Sequence, residues 1–311
     1  MKKITLQISL SPSDFQHVIH LLPHQIKVLG DEVDEILLTY DIHKSKGHFS
    51  NNWDEHYILM WDFLEKLADQ NDKINLVRID YSPCTVKEIA KTYFRKNYIP
   101  AKDWRGGPFY TYFFGLYKSK NDYVFHIDSD LFFGGLSKQW FKEAVQLYEE
   151  DSKILIVNPL AGPPRADGTL INQSYFSYKN LPYYFKFDSM STRLFLINRT
   201  RLKKYPLLHI KTKKISLLLR ALYRGNLPYK LPEDVISDMM IREKMIRVDF
   251  MGENLGLWSL HPPYRTAQFY QDLPEIIKRI ELNNVPESQR GFYDIVDEFV
   301  DWKIAKAKLR V

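Results

Sequence analysis

Short apolar runs bounded by polar turns alternate with stretches of helical periodicity through the first half of the chain. The runs Ile4 to Leu10, Glu35 to Tyr40, Ile74 to Ile79, Tyr123 to Ile127 and Ile154 to Val157 read as buried strands. Between them Ser13 to Leu29, Trp53 to Ala68, Thr85 to Tyr93, Phe109 to Ser119 and Ser137 to Glu149 carry helical spacing. Pro23 is expected to break the first of these helices, because it has no N–H to donate. This β-α-β alternation through residue 158 predicts an α/β fold: a Rossmann-like, mainly parallel sheet flanked by helices on both faces. Ligands of such sheets bind at the carboxyl ends of the strands, so the chemistry is expected there.

Past Pro159 the pattern changes. Leu160 to Pro182 is rich in Gly, Pro, Asn and Tyr and reads as an irregular excursion before a strand near Arg193 to Asn198. A basic segment from Lys211 to Arg224, a helix from about Pro232 to Lys244, a strand at Arg247 to Met251 and two late helices follow. No internal repeat, low-complexity tract or Gly/Ser linker divides the chain.

Composition removes several alternatives. Of 311 residues, 45% are hydrophobic and 26% charged, and 6 Trp, 20 Tyr and 19 Phe supply far more buriable surface than a disordered chain carries. Cys84 stands alone, so no intrachain disulfide is possible and a reduced cytoplasm is the expected setting. The net charge of +6 and pI of about 9.0 permit phosphate-bearing ligands. No clustered basic stripe accompanies the strands, which argues against nucleic acid as a partner. Lys2 and Lys3 have the charges of a signal peptide, but Gln7, Ser11 and Asp14 break the apolar stretch, so the start reads as a first strand. The uncharged stretch Gly106 to Tyr117 is too short to cross a bilayer and contains Pro108. Any membrane contact is therefore expected to be peripheral.

Candidate chemistry concentrates at Tyr123-Val124-Phe125-His126-Ile127-Asp128-Ser129-Asp130, an apolar strand running directly into two carboxylates spaced i, i+2. In extended chain both point to one side, and paired carboxylates at a sheet edge make a hard-oxygen site for Mg²⁺ or Mn²⁺ beside a substrate's phosphates. The alternative is an Asx-type turn that merely ends the strand. Asp234 follows Pro232 and Glu233 at the start of a helix, where acidic residues favour the positive end of the dipole. The same carboxylate, ionised at neutral pH, could remove a proton from an attacking hydroxyl. His261 offers an imidazole to a metal or sits before a Pro-Pro turn, and Arg265 offers a bidentate cation to a diphosphate or is an exposed charge.

These residues together resemble the inverting GT-A glycosyltransferases of the family 2 type, which carry an Asp-X-Asp motif at this place. Glu35-Ile36-Leu37-Leu38-Thr39-Tyr40-Asp41 is similar to the family's second strand, whose terminal acid contacts the nucleotide base. Arg105-Gly106-Gly107, Gly115-Leu116 and Asn121-Asp122-Tyr123 resemble the approach to the metal-binding strand. Leu231-Pro232-Glu233-Asp234-Val235 resembles the Glu-Asp motif whose aspartate is the catalytic base, and Trp258-Ser259-Leu260-His261-Pro262-Pro263-Tyr264-Arg265 a segment that in some members brings a histidine to the metal. The resemblance covers Ile4 to about Arg265. Tyr40-Asp41-Ile42-His43 departs from the usual Asp-Asp-Gly-Ser run, and the usual Ala-Arg-Asn is replaced by a Tyr-rich stretch.

The resemblance implies a metal-dependent glycosyltransferase with Asp234 and Glu233 catalytic, and Asp128, Asp130 and His261 at Mn²⁺ or Mg²⁺. Ser9, Asp41, Arg105, Gly107, Asp128 and Arg265 would bind a UDP- or GDP-linked sugar donor, and a glycan or lipid-linked acceptor would supply the hydroxyl. Residues 1–265 would form the GT-A-like domain, with a nucleotide-sugar half to about 158 and an acceptor half from 159, and 266–311 a helical extension packed on it. Two segments bear on the acceptor. Lys211 to Arg224 reads either as a packed helix with a solvated basic end or as a peripheral contact with an anionic membrane. Tyr175, Tyr178, Tyr183, Tyr184 and Phe185 either stack on sugar faces or form a core edge. A nucleotidyltransferase making nucleotide sugars would share the sheet and the acids, but needs a Gly-rich cationic loop that Ser9-Leu10-Ser11-Pro12-Ser13 lacks. A non-catalytic carbohydrate- or lipid-binding protein on the same fold would not need all of these carboxylates.

Overall fold

The computed structural model describes residues 2–45 and 52–308. Among the described residues eleven strands form, in chain order: β1 (Ile4–Leu10), β2 (Glu35–Tyr40), β3 (Ile74–Arg78), β4 (Tyr123–Asp128), β5 (Phe132–Gly134), β6 (Ile154–Ala161), β7 (Phe176–Ser177), β8 (Tyr184–Phe187), β9 (Leu194–Asn198), β10 (Ile246–Phe250) and β11 (Trp258–Leu260). The helices are α1 (Phe15–Leu29), α2 (Trp53–Asp69), α3 (Pro83–Phe94), α4 (Tyr110–Lys118), α5 (Trp140–Glu150), α6 (Arg199–Lys203), α7 (Ile215–Tyr223), α8 (Pro232–Glu243), α9 (Ala267–Glu281) and α10 (Lys303–Lys308). The last three residues of the expected C-terminal extension, 309–311, lie outside the described residues.

The central sheet runs β3-β2-β1-β4-β9-β6-β10-β8-β7. β3, β2, β1 and β4 are mutually parallel, as are β6 and β10, whereas β9 and β8 run against their neighbours. The fold is therefore α/β with a mainly parallel sheet flanked by helices. Every residue of β2 and β6 is buried, because helices cover both faces and a parallel strand has no solvated side. One core layer lies between the sheet and α1, α2 and α5, and a second between the sheet and α3, α4 and α8. A third, built on Trp258, Phe269, Leu273 and Trp302, fastens the C-terminal segment to β5 and β11. Each fully buried Leu or Phe in these layers contributes about 1.5–3 kcal/mol.

Gly115 lets α4 lie close over β1, since a Cβ there would stand 2.6 Å from Gln7 Cδ. Buried Gln7 then reaches across the sheet, donating to Thr39 Oγ1 (2.8 Å) and accepting from His126 Nδ1. This polar thread through the core is satisfied at its centre, as a buried network must be.

Three expectations are corrected. Pro23 does not break α1, which continues to Leu29: the residue is exposed, so its ring displaces no packed neighbour. The excursion after β6 is partly regular, pairing β7 with β8 and β8 with β10. Its aromatic residues pack on one another and on the sheet: Tyr175 meets Phe185 edge-on at 4.7 Å, Tyr184 lies 5.3 Å from Phe250, and Tyr183 donates to Arg165 O at 2.7 Å. The apolar stripe of α7 is not packed, and Ala221 is the one buried residue of that helix. Among the described residues no helix is long and apolar enough to cross a membrane.

Candidate active site

Parallel pairing fixes where the functional side chains emerge. β1 sets Ser9 opposite Thr39 on one side and Asp128 on the other, so β1, β2 and β4 end at one edge. Their ends deliver Ser9, Asp41 and Asp128 to a cleft of about 980 Å³. Ser9, Asp41, Arg105, Gly107, Asp128, Asp130, Glu233, Asp234, His261 and Arg265 all line this cleft. Residues separated by up to 256 positions thus meet at the edge where a sheet of this kind receives its ligands.

Asp130 is the electrostatic centre. Burial works to raise its pKa, but the charge of the Arg265 guanidinium overrides that and holds the carboxyl well below the usual carboxylate range. Arg265 makes a close ion pair with Asp130 Oδ2, while Oδ1 is buried with no hydrogen-bond partner. His261 Nε2 lies 3.7 Å from Asp130 Oδ2, and its Nδ1 donates to Asp294 Oδ1 at 2.8 Å. A carboxylate on one ring nitrogen fixes the tautomer that leaves the other nitrogen's lone pair facing Asp130, the usual outer support of a metal-ligating histidine. His126 Nε2 stands 3.4 Å from Asp128 Oδ1, and burial pushes the Asp128 carboxyl up while His126 counters it.

The donor chemistry of Asp128, Asp130 and His261 fits a hard divalent cation, and the unpartnered Asp130 Oδ1 is the atom it would take. The three are not closed into a ready cluster: among the described residues no group of three or more His, Cys, Asp or Glu side chains is arranged to hold a metal. Arg265 is the cation that Asp130 meets.

A fourth acid belongs to this group. Asp14, in the turn between β1 and α1, accepts from Ser11 N–H at 3.2 Å and lines the cleft. Burial pushes it up to about 7; Arg265 works against the rise, and the charges of Asp130 and Asp128 add to it. His17, one helical turn on, contacts Ser129 Oγ at 3.1 Å, and burial pushes its pKa down to about 3, so it is neutral.

Residues that sequence reasoning passed over organise the cleft around Asp41 and Arg105. Asp41 is held by Lys102 Nζ (2.9 Å), Tyr81 OH (2.7 Å) and its own turn's His43 N–H (2.9 Å). Buried Asp103 accepts from the N–H groups of Arg105 (2.7 Å) and Gly107 (3.1 Å), folding Lys102–Pro108 into a tight loop with Gly106 at φ +86°. A Cβ on Gly107 would lie 3.1 Å from Asp103 Oδ2, so only glycine fits without displacing that carboxylate. An Asp before a Gly-Gly pair is a turn signal that could have found this loop.

α8 presents its first turn to the cleft. Thr192 Oγ1 donates to Glu233 Oε2 at 2.7 Å, which fixes Glu233 and leaves neighbouring Asp234 exposed. Burial, then the adjacent Glu233 charge, raise the Asp234 pKa. The positive end of the helix dipole favours the ionised carboxylate, and burial and the Glu233 charge work against it. Thr192 and Arg193 arrive because β9 pairs with β4, where Asp128 N–H donates to Arg193 O at 2.8 Å. No local signal marks Thr192, Arg193 or Asp294.

No protein-family model matches the chain, and no curated protein matches it. Among solved structures it is similar to S. aureus TarS at 10% identity, over 92% of this chain and 41% of that one, with a TM-score of 0.43. This chain spans less than half the length of that protein. It is also similar to the 4-diphosphocytidyl-2C-methyl-D-erythritolsynthase of Anaerococcus prevotii DSM 20548 at 13% identity, over 89% of this chain and 99% of that one, with a TM-score of 0.42. A mycobacterial protein is matched at 12% identity over 92% and 76% of the two chains, with a TM-score of 0.32. Likenesses this distant carry no activity across, and the chemistry of the cleft has to speak for itself.

Proposed function

We propose that the chain is a glycosyltransferase that moves a sugar from a nucleotide-diphosphate donor to an acceptor hydroxyl with inversion. One observation carries the reading: Asp128 and Asp130 at the end of β4 line a single cleft together with Asp234 at the start of α8, so acids suited to a donor and a base suited to an acceptor open into one space.

The nucleoside lies toward Asp41, Lys102 and Tyr81, and the loop held by Asp103 brings Arg105 and Gly107 alongside it. The diphosphate lies toward Asp128 and Asp130, where Arg265 and Arg193 supply positive charge to the departing group. Mn²⁺ or Mg²⁺ bound by Asp128, Asp130 and His261 would neutralise the diphosphate as a Lewis acid. Asp234 accepts the proton of the acceptor hydroxyl as that oxygen attacks the anomeric carbon, and its raised pKa suits the task. Glu233, tied to Thr192, positions the turn that carries Asp234.

The test is nucleoside-diphosphate release from UDP- and GDP-sugars in the presence of Mn²⁺, together with the anomeric configuration of the product. Wild type is expected to release the diphosphate and to invert. Asp234→Asn should keep donor affinity and lose turnover by about 10²–10⁴-fold. Full turnover in that variant, or a retained anomeric configuration, overturns the reading.

A further inference from the structure

α7 presents an apolar face with nothing over it. Ile215 is 73% exposed, Leu219 65%, Leu222 78% and Tyr223 93%. At 100° per residue these four fall on one arc of about a quarter turn, opposite buried Ala221. Leu227, just beyond the helix, is exposed as well. An exposed stripe of this kind marks an interaction surface.

Charge says what the surface meets. No Asp or Glu occurs between Asp188 and Glu233, while Lys211, Lys213, Lys214, Arg220 and Arg224 cluster on and around α7. Among the described residues Lys211, Lys213, Lys214 and Arg220 have no ion-pair partner, and Arg224 lies over the Trp104 ring at 5.2 Å. A protein partner would have to supply both an apolar groove and a one-signed acidic rim. An anionic lipid surface supplies apolar depth and negative headgroups together.

The helix is held firmly. Thr212 N–H donates to Pro228 O (3.0 Å) and Lys230 N–H to Ile210 O (2.8 Å), which closes the base of the segment 210–230 that carries α7. Trp104 N–H donates to Tyr229 O at 2.9 Å, and Asn226 Nδ2 to Trp104 O at 3.3 Å. The segment 210–230 therefore rests on the loop whose Arg105 and Gly107 line the cleft, and its end leads through Leu231 into α8.

We infer that α7 and its flanking lysines form a peripheral docking surface for an anionic membrane, holding the α8 side of the cleft close to the lipid plane. The inference stands on exposure and charge and does not depend on the transfer reading. With that reading, it selects acceptors anchored in or lying on a membrane.

The test is flotation of the full chain with vesicles of phosphatidylcholine alone and of phosphatidylcholine mixed with phosphatidylglycerol. Binding is expected to the mixed vesicles only, and to weaken as salt rises. Leu219→Glu with Leu222→Glu should lower it more than tenfold, and Lys213→Gln with Lys214→Gln by about fivefold per cation removed. The four positions are exposed, so melting temperature and nucleotide binding should match wild type, which also separates this result from any failure of the transfer reading. Should the leucine pair disturb folding, the lysine pair, outside the helix, decides alone. Absence of binding to the mixed vesicles overturns the inference, as does unchanged binding by the variants. A concentration-dependent dimer that the leucine pair dissociates would assign the stripe to a second copy and overturn it equally.

Discussion

Replacing Asp14 by Asn tests whether burial in the cleft, beside the other acids, holds this carboxyl protonated well above the ordinary carboxylate range. In the folded chain Asp14 is raised from the ordinary 3.8 to about 7, so the native state binds a proton more tightly than the unfolded one. The stability this contributes is fully present below pH 3.8 and is lost as pH rises through 7. A shift of roughly three decades in proton affinity corresponds to about 4 kcal/mol in total, of which less than half is lost by pH 5. The side chain is 26% exposed, and solvent screening reduces the change between pH 5 and pH 8 to about 2 kcal/mol. The amide of the Asp14→Asn variant does not titrate, so the variant gains about that much relative to wild type on going from pH 5 to pH 8. The side-chain carbonyl oxygen of the variant can still accept from Ser11 N–H, and any change in that bond is the same at both pH values and drops out of the comparison. Urea unfolding of both proteins at the two pH values measures it. A stability difference that is the same at pH 5 and pH 8 would refute the raised pKa of Asp14.

Further outcomes follow from the same geometry. Thr192→Val removes the hydroxyl that fixes Glu233, and kcat should fall about tenfold with donor KM unchanged, since a hydrogen bond to a charged group is worth about 1.5 kcal/mol. Arg265→Gln removes the largest of the charges that hold the Asp130 pKa down, so donor binding should weaken and the acid limb of the pH profile should move upward. Gly134→Ala would put a Cβ 2.1 Å from Trp258 Cζ2, and denaturant unfolding should show a loss of about 3 kcal/mol or more through the β5–β11 contact.

The parallel half of the sheet was legible because each of its strands is a continuous apolar run with a helical period on either side, and the ends of β2 and β4 carry their acids in the sequence itself. The regular pieces β5, β7 and β11 were not, since two or three residues show no period and form only because a neighbouring strand is already in place. Asp128, Asp130 and Asp234 were found through local patterns. Thr192, Arg193 and Asp294 were invisible because their roles come from tertiary pairing: β9 against β4, and the bridge that sets Asp294 beside His261. The exposure of α7 was undetermined for a physical reason. Sequence shows that a helix has an apolar face but not whether the fold covers it.

The most direct test of the transfer reading is calorimetric titration of UDP and GDP, each with and without Mn²⁺, into the wild type and into Asp130→Asn. One nucleotide is expected to bind in a Mn²⁺-dependent way to the wild type and to lose that dependence in the variant. Absence of nucleotide binding under every condition, or unchanged metal-dependent binding in Asp130→Asn, would contradict the assignment of this cleft to a nucleotide-diphosphate donor.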